Sequence, residues 1–243
     1  MTWPRHLTDL ARGAGHLIWP PRCLVCSADL GEQTVHFCDP CRTALTHDPG
    51  DKCPRCASLV GPYTDLSDGC GRCRGTTFHF ASAVRLGLYD GVVRDVVLAM
   101  KHESGELLAA RLGQLWAETR RSELLQGDPQ IVVPVPLHWR RRVVRGYNQS
   151  DELAAALAGA LGLPWRRRTL VRVRPTPHQS LTRSAAERWR NLDAGFRARP
   201  GVAGLRVLLV DDVLTTGATA EAAAVALLAQ GAAQVRVVVV AHR

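Results

Sequence analysis

The sequence predicts an α/β domain, a parallel sheet flanked by helices, with a small cysteine-rich segment in front of it. Two observations carry this. All eight cysteines lie between Cys23 and Cys73, and none occurs in the remaining 170 residues. After residue 80 or so, short continuous apolar runs alternate with helical patterns, as in a sheet buried on both faces. The boundaries expected are 1–22 as a helix or tail, 23–79 as the cysteine-rich domain and 80–243 as the α/β domain.

The elements follow in order. Ala83 to Leu88 is a short apolar stretch. Asp90 is placed to cap a helix through Met100, with Val93, Val97 and Met100 on one face. Glu106 to Leu125 reads as a second helix. Ile131 to Val135 is a buried strand, ended by Pro134 and Pro136. Ser150 is placed to cap a helix carrying Leu153, Leu157 and Leu161, with Asp151 and Glu152 favourable in its first turn and Gly162 and Pro164 as stops. Arg206 to Val210 is another buried strand, followed by a helix from about Thr219 to Leu228 and a last strand, Val235 to Ala241. In such sheets ligands bind beyond the carboxyl ends of the strands.

The chain has 243 residues and a net charge of +9. The basic excess sits in one segment. Residues 136–199 hold fourteen arginines against four acidic residues, and the rest is close to neutral. That field suits a multiply charged anion, a pyrophosphate-bearing small molecule or a nucleic-acid backbone. No apolar run is long enough to span a membrane. The first 22 residues lack the apolar core and cleavage site of a secretory signal, so the cytoplasm is the expected location.

The cysteines form four Cys-x-x-Cys pairs: Cys23/Cys26, Cys38/Cys41, Cys53/Cys56 and Cys70/Cys73, separated by 11, 11 and 13 residues. Each pair presents two thiolates from a tight turn, and two pairs complete a tetrahedral four-sulfur site. Two structural Zn²⁺ sites are expected, with the metal standing in for a core. The simplest pairing is sequential, and spacing leaves an interleaved one open. Disulfides suit a cytosolic chain poorly; a redox pair or an iron–sulfur cluster is the other alternative. His36, His47 and His79 are expected to be bystanders.

Asp211-Asp212-Val-Leu-Thr-Thr-Gly-Ala-Thr219 follows a buried strand and opens a helix. Unpaired amides at a helix start attract phosphate. Gly217 allows close backbone approach, Ala218 is small, and Thr215, Thr216 and Thr219 add hydroxyl donors. Asp211 and Asp212 can accept from a cis diol and help to place a divalent cation. A diol one sugar away from a phosphate is a ribose 5-phosphate. The alternative is that the two acids merely cap the helix. The stretch lacks both the Gly-Lys-Ser/Thr ending of a Walker loop and the spaced glycines of a dinucleotide fingerprint.

Val207 to Thr219 resembles the phosphoribosyl pyrophosphate signature of type I phosphoribosyltransferases. Val133-Pro-Val-Pro-Leu137, Arg145-Gly-Tyr-Asn-Gln149, Gln179, Leu181, Arg188, Asn191 and Phe196 resemble the ComF family of competence-associated proteins. The likeness runs from about Cys23 to Ala241. It implies a double zinc ribbon before a type I phosphoribosyltransferase fold with a flexible hood, and Mg²⁺ as the partner of phosphoribosyl pyrophosphate. It also implies a glycosyl transfer of the kind used in nucleoside metabolism, or handling of single-stranded DNA in transformation beside competence helicase-type proteins.

Catalysis in such a transfer comes from positioning and from cations on the pyrophosphate. Arg145, with Asp211 and Asp212, is the expected catalytic set. Arg140, Arg141, Arg142 and Gly146 share the loop assigned to the pyrophosphate. Gln179 and Arg188 lie in a segment expected to act as a lid, and Lys101 is expected to face either the site or solvent. Tyr147, Trp139, Trp165 and Trp189 lie among the arginines, where aromatics can stack on unpaired bases.

Overall fold

A computed structural model of the chain describes residues 21–31, 36–102, 104–137, 143, 145–173 and 195–243. It divides into two compact units, Met1–Leu45 and Thr46–Arg243. Arg141, Gln179 and Arg188 lie outside the described residues, as do Arg140, Arg142, Trp139, Trp189 and nearly all of the expected N-terminal helix.

Among the described residues, the first unit holds a cysteine knuckle and the start of helix α1 (Asp39–Thr46). The amide of Ser27 donates to the carbonyl of Cys23 at 2.9 Å, with Ser27 at φ 60°. The second unit repeats this turn: the amide of Ala57 donates to the carbonyl of Cys53 at 2.9 Å, with Ala57 at φ 59°. There β1 (Asp51–Lys52) and β2 (Leu59–Val60) flank the turn as an antiparallel pair.

The sheet of the second unit contains β3 (Ser82–Leu88), β4 (Ile131–Pro134), β7 (Arg206–Leu214) and β8 (Gln234–His242), in the order β3-β8-β7-β4, all parallel. Side chains alternate between its faces. Ile131, Val133, Val207, Leu209, Val235, Val237 and Val239 join one core cluster with the alanines of α6 (Ala218–Ala229). Their neighbours Val132, Leu208, Val210, Val238 and Val240 are equally buried. Both faces are covered, which is why the strands read as unbroken apolar runs.

Helices α2 (Gly91–Ala99), α3 (Gly105–Thr119), α4 (Arg121–Leu125) and α5 (Gln149–Leu161) also belong to the unit. Helices α3 and α5 meet at Gly113, where an added Cβ would lie 2.9 Å from Ala156 Cβ. The expected helix Glu106 to Leu125 is two helices, because Arg120 takes φ −124°. Asp90 caps α2 as expected, accepting from the amide of Gly91 at 2.8 Å. The cap of α5 is Asn148, two residues before the one expected. A small antiparallel pair, β5 (Leu170–Arg172) and β6 (Phe196–Ala198), was not expected from sequence.

Two arginines are buried in the sheet. Arg236 on β8 donates to the carbonyls of Glu123, Leu124 and Gln126, capping the end of α4. Arg85 on β3 pairs with Asp48.

Candidate functional site

Strand β7 runs past Val210 and carries Asp211 and Asp212 inside the ladder, with Asp211 opposite Val239 and Val213 opposite Ala241. The two acids therefore stand at the carboxyl edge of the sheet, partly exposed and outside the core. The turn that follows is short. Thr215 and Thr216 are exposed, and Gly217 turns the chain at φ +83° into α6. An L side chain is strained at that φ, and a Cβ there would sit 2.9 Å from the ring of Phe78, so glycine suits the position twice over. The amide of Ala218 donates to Thr216 Oγ1 at 3.4 Å, and that of Glu221 to the carbonyl of Gly217 at 2.8 Å. Ala218 and Thr219 occupy the first turn of α6, whose amides lack acceptors within the helix.

The stretch Arg145 to Ser150 supplies partners to both acids. Ser150 Oγ donates to Asp211 Oδ1 at 3.0 Å, and Gln149 Nε2 donates to Asp212 Oδ2 at 2.9 Å. Arg145 Nη1 donates in turn to Gln149 Oε1 at 3.3 Å. Lys101 Nζ lies 3.4 Å from Asp212 Oδ2, so Lys101 faces the acids. The hydroxyl of buried Tyr147 hydrogen-bonds the carbonyl of Met100 and lies 3.1 Å from that of His102, which fixes the turn bearing Lys101. Tyr147 is thus a strut, unavailable for base stacking. Gly146, at φ +77°, is exposed.

Burial, then the charge of Asp212 beside it, pushes Asp211 up to about 7. A bound cation would relieve the same repulsion.

Gln149 and Ser150 were missed as acid partners from sequence. Their signal was position: two polar residues opening a helix directly after the arginine loop. Thr215, Thr216, Gly217, Ala218 and Thr219 follow Asp211 and Asp212 in one continuous turn, while Lys101 reaches Asp212 from a separate element and Arg145 is linked to it only through Gln149.

The cysteines group into the sequential pairing, Cys23, Cys26, Cys38 and Cys41 in one set and Cys53, Cys56, Cys70 and Cys73 in the other, with sulfurs within 4.8 Å of one another. Sulfur pairs lie 3.6 Å apart (Cys26–Cys38), 3.8 Å (Cys53–Cys73) and 3.5 Å (Cys56–Cys70). Four thiolates at about 2.3 Å from one tetrahedral metal would lie about 3.8 Å apart, so both sets fit Zn²⁺. Burial works against ionisation at Cys53, but the surrounding amides of Cys56, Cys70 and Arg55 lower it to about 7. His79 instead hydrogen-bonds the buried carboxylate of Glu221 through its ring and, at 2.8 Å, through its amide.

Residues 146–243 match the family described as phosphoribosyl transferase domain, and residues 14–74 match the double zinc ribbon domain. The chain is 36% identical over 222 residues to DNA utilization protein YhgH of Salmonella typhimurium, covering 90% of this chain and 95% of that protein. It is 33% identical over the same length to DNA utilization protein YhgH of Escherichia coli strain K12. Competence protein F of Haemophilus influenzae is 29% identical over 205 residues, covering 82% of this chain and 86% of that protein. No helix among the described residues is long and apolar enough to cross a membrane. The ribbon, the transferase-type domain and this near full-length likeness together make the chain a member of the ComF family.

Proposed function

We propose that the chain binds phosphoribosyl pyrophosphate with Mg²⁺ and transfers its phosphoribosyl group to a nitrogenous acceptor, releasing pyrophosphate. The observation that carries this reading is convergence. Ser150, Gln149 and Lys101 all meet one acid pair beside a glycine-opened helix start. The amides and hydroxyls of Thr215 to Thr219 would hold the 5′-phosphate, and Asp211 and Asp212 would accept from the ribose hydroxyls. Mg²⁺ would supply charge neutralisation on the leaving pyrophosphate. Lys101 and Arg145 would add positive charge there, and Gln149 bridges Arg145 to Asp212. In the transfer the bond from ribose carbon 1 to the pyrophosphate oxygen breaks and its electron pair leaves with pyrophosphate. A bond from carbon 1 to the acceptor nitrogen forms, and the acceptor loses a proton.

The test is pyrophosphate release from the ligand with Mg²⁺ over a panel of nitrogenous bases. Turnover with one base and none without it is the expected result. Silence with every base would remove the transferase reading.

A second reading is a binding module for single-stranded DNA. It is favoured by Trp165, which is 41% exposed beside the sheet edge at Val132, with Arg167 5.9 Å from its ring centroid and Arg166 and Arg168 exposed beside it. The names of the relatives refer to DNA utilization and competence. Stacking on such a platform contributes about 1–3 kcal/mol per base. Trp165→Ala is therefore expected to weaken oligonucleotide binding by roughly tenfold in fluorescence titrations, with binding falling steeply as salt rises. Unchanged affinity would move the DNA surface elsewhere.

A further inference from the structure

The outer side of the phosphate turn is covered by the second ribbon and the residues just after it. Arg72 sits between Cys70 and Cys73. Its Nη2 donates to the carbonyl of Thr215 at 2.9 Å, and its Nη1 donates to the main-chain oxygen of Arg243 at 2.8 Å. Arg243 in turn donates its amide to the carbonyl of Leu214 at 3.0 Å, the residue before Thr215. Phe78, stacked on Phe80 with ring centroids 4.6 Å apart, closes on Gly217. Glu221, in the first turn of α6, accepts from the amide of His79. The turn is thus held at three points by residues 72–79.

We propose that Arg72 is a positioning residue for the phosphate turn and that the second four-cysteine site is its mount. The proposal rests on the phosphoribosyl reading above. A trans peptide unit points its C=O and its N–H in opposite directions. By holding the carbonyl of Thr215 on the ribbon side, Arg72 aims the amide of the next residue, Thr216, away from the ribbon. That amide belongs to the set that meets the 5′-phosphate. Arg72 itself takes its place from the metal knuckle. The amides of Cys73 and Arg74 donate to the carbonyl of Cys70 at 2.8 and 3.1 Å, and Cys70 and Cys73 are both proposed metal ligands. Metal in this set therefore orders the knuckle, the knuckle sets Arg72, and Arg72 sets the turn. The fork geometry of a guanidinium spans two carbonyl-type acceptors at once, which one ammonium does less well.

The test uses the full-length, zinc-loaded chain. Affinity for phosphoribosyl pyrophosphate with Mg²⁺ is measured by calorimetry for wild type, Arg72→Ala and Arg72→Lys, with zinc per chain and amide hydrogen exchange across residues 214–221 measured in parallel. Arg72→Ala is expected to weaken binding by about tenfold, the loss of a charge-assisted hydrogen bond at the turn. It should speed exchange in that segment and leave the zinc content unchanged. Arg72→Lys should recover part of the affinity. Stripping zinc with a chelator should weaken wild type more than Arg72→Ala, whose link to the ribbon is already cut. Wild type and Arg72→Ala binding the ligand equally, with equal exchange, overturns this proposal alone. Loss of zinc in Arg72→Ala, with no rescue by lysine, also overturns it, since Arg72 would then serve the ribbon fold only. A wild-type chain that gives no heat with the ligand overturns the phosphoribosyl reading and takes this one with it.

Discussion

Replacing Asp211 and Asp212 together by asparagine is expected to weaken phosphoribosyl pyrophosphate binding by two to four decades while making the ligand-free protein more stable. Each carboxylate would accept a charge-assisted hydrogen bond from the ribose, worth about 1.5–3 kcal/mol, and two such losses span roughly two to four decades in affinity. The stability gain has the opposite sign because Asp211 loses solvation beside a second carboxylate. Asp211 is pushed up to about 7, first by burial and then by Asp212. A carboxylate raised in the fold above its unfolded value contributes stability below pH 4 that is lost as pH rises towards 7. At pH 8 the native pair therefore costs on the order of 2–4 kcal/mol, and the double variant should unfold about 5–10 °C higher. Near pH 4 that difference should vanish. Calorimetry for the ligand and thermal melts at the two pH values check both halves. Undiminished binding would show that the acids do not meet the ribose. Loss of zinc from the variant would show that its effect is not local.

Much of the sheet was legible because its strands are buried on both faces and write themselves as valine and leucine runs. The end of β7 was not. Asp211 and Asp212 look like a strand terminus, yet the ladder continues through them to Leu214, since a carboxyl edge open to solvent tolerates polar side chains. Asn148 and Ser150 are both good capping residues, and local chemistry does not choose between them. The choice is made by a remote group: Ser150 Oγ turns to Asp211, 61 residues away, while Asn148 caps the helix and also holds the carbonyl of Val135 at 3.1 Å. Gln149 escaped notice for the same reason, since its partner Asp212 is 63 residues on. Strands β5 and β6 are three residues each and carry no periodic signal. The four cysteine pairs were readable because a Cys-x-x-Cys turn is local, as the hydrogen bonds and positive φ at Ser27 and Ala57 show, but spacing left open which pairs share a site, and the fold makes that choice. Composition changes near residue 80, while the structure divides after Leu45, because side chains tie the second ribbon to the sheet. Ser58 Oγ lies 3.2 Å from His242 Nε2, and Arg85 reaches the carbonyl of Ala57 at 2.6 Å.

Asp48→Ala should be among the most destabilising single changes in the chain. Arg85 lies in the middle of β3 with its side chain fully buried, and its chief counter-charge is Asp48, 3% exposed, at 2.8 Å. Arginine cannot shed its proton in a protein, so removing the carboxylate leaves a buried cation with the carbonyl of Ala57 as its remaining close acceptor. Breaking a buried pair in this way costs about 3–5 kcal/mol, a fall of roughly 10 °C in the melting midpoint. The reverse change, Arg85→Met, should cost less, because Asp48 keeps Lys52, whose Nζ lies 3.6 Å from it and 2.5 Å from Glu123. The double variant Arg85→Met, Asp48→Leu should recover most of the loss, since the desolvation of both charges goes with them. Arg85 also joins β3 to the ribbon through Ala57, the residue after Cys56, so the Asp48→Ala chain should yield zinc to a chelator faster than wild type. A melting midpoint within a degree or two of wild type would mean that the guanidinium finds water, and that the ribbon is held to the sheet by Arg72, Phe78 and Ser58 instead.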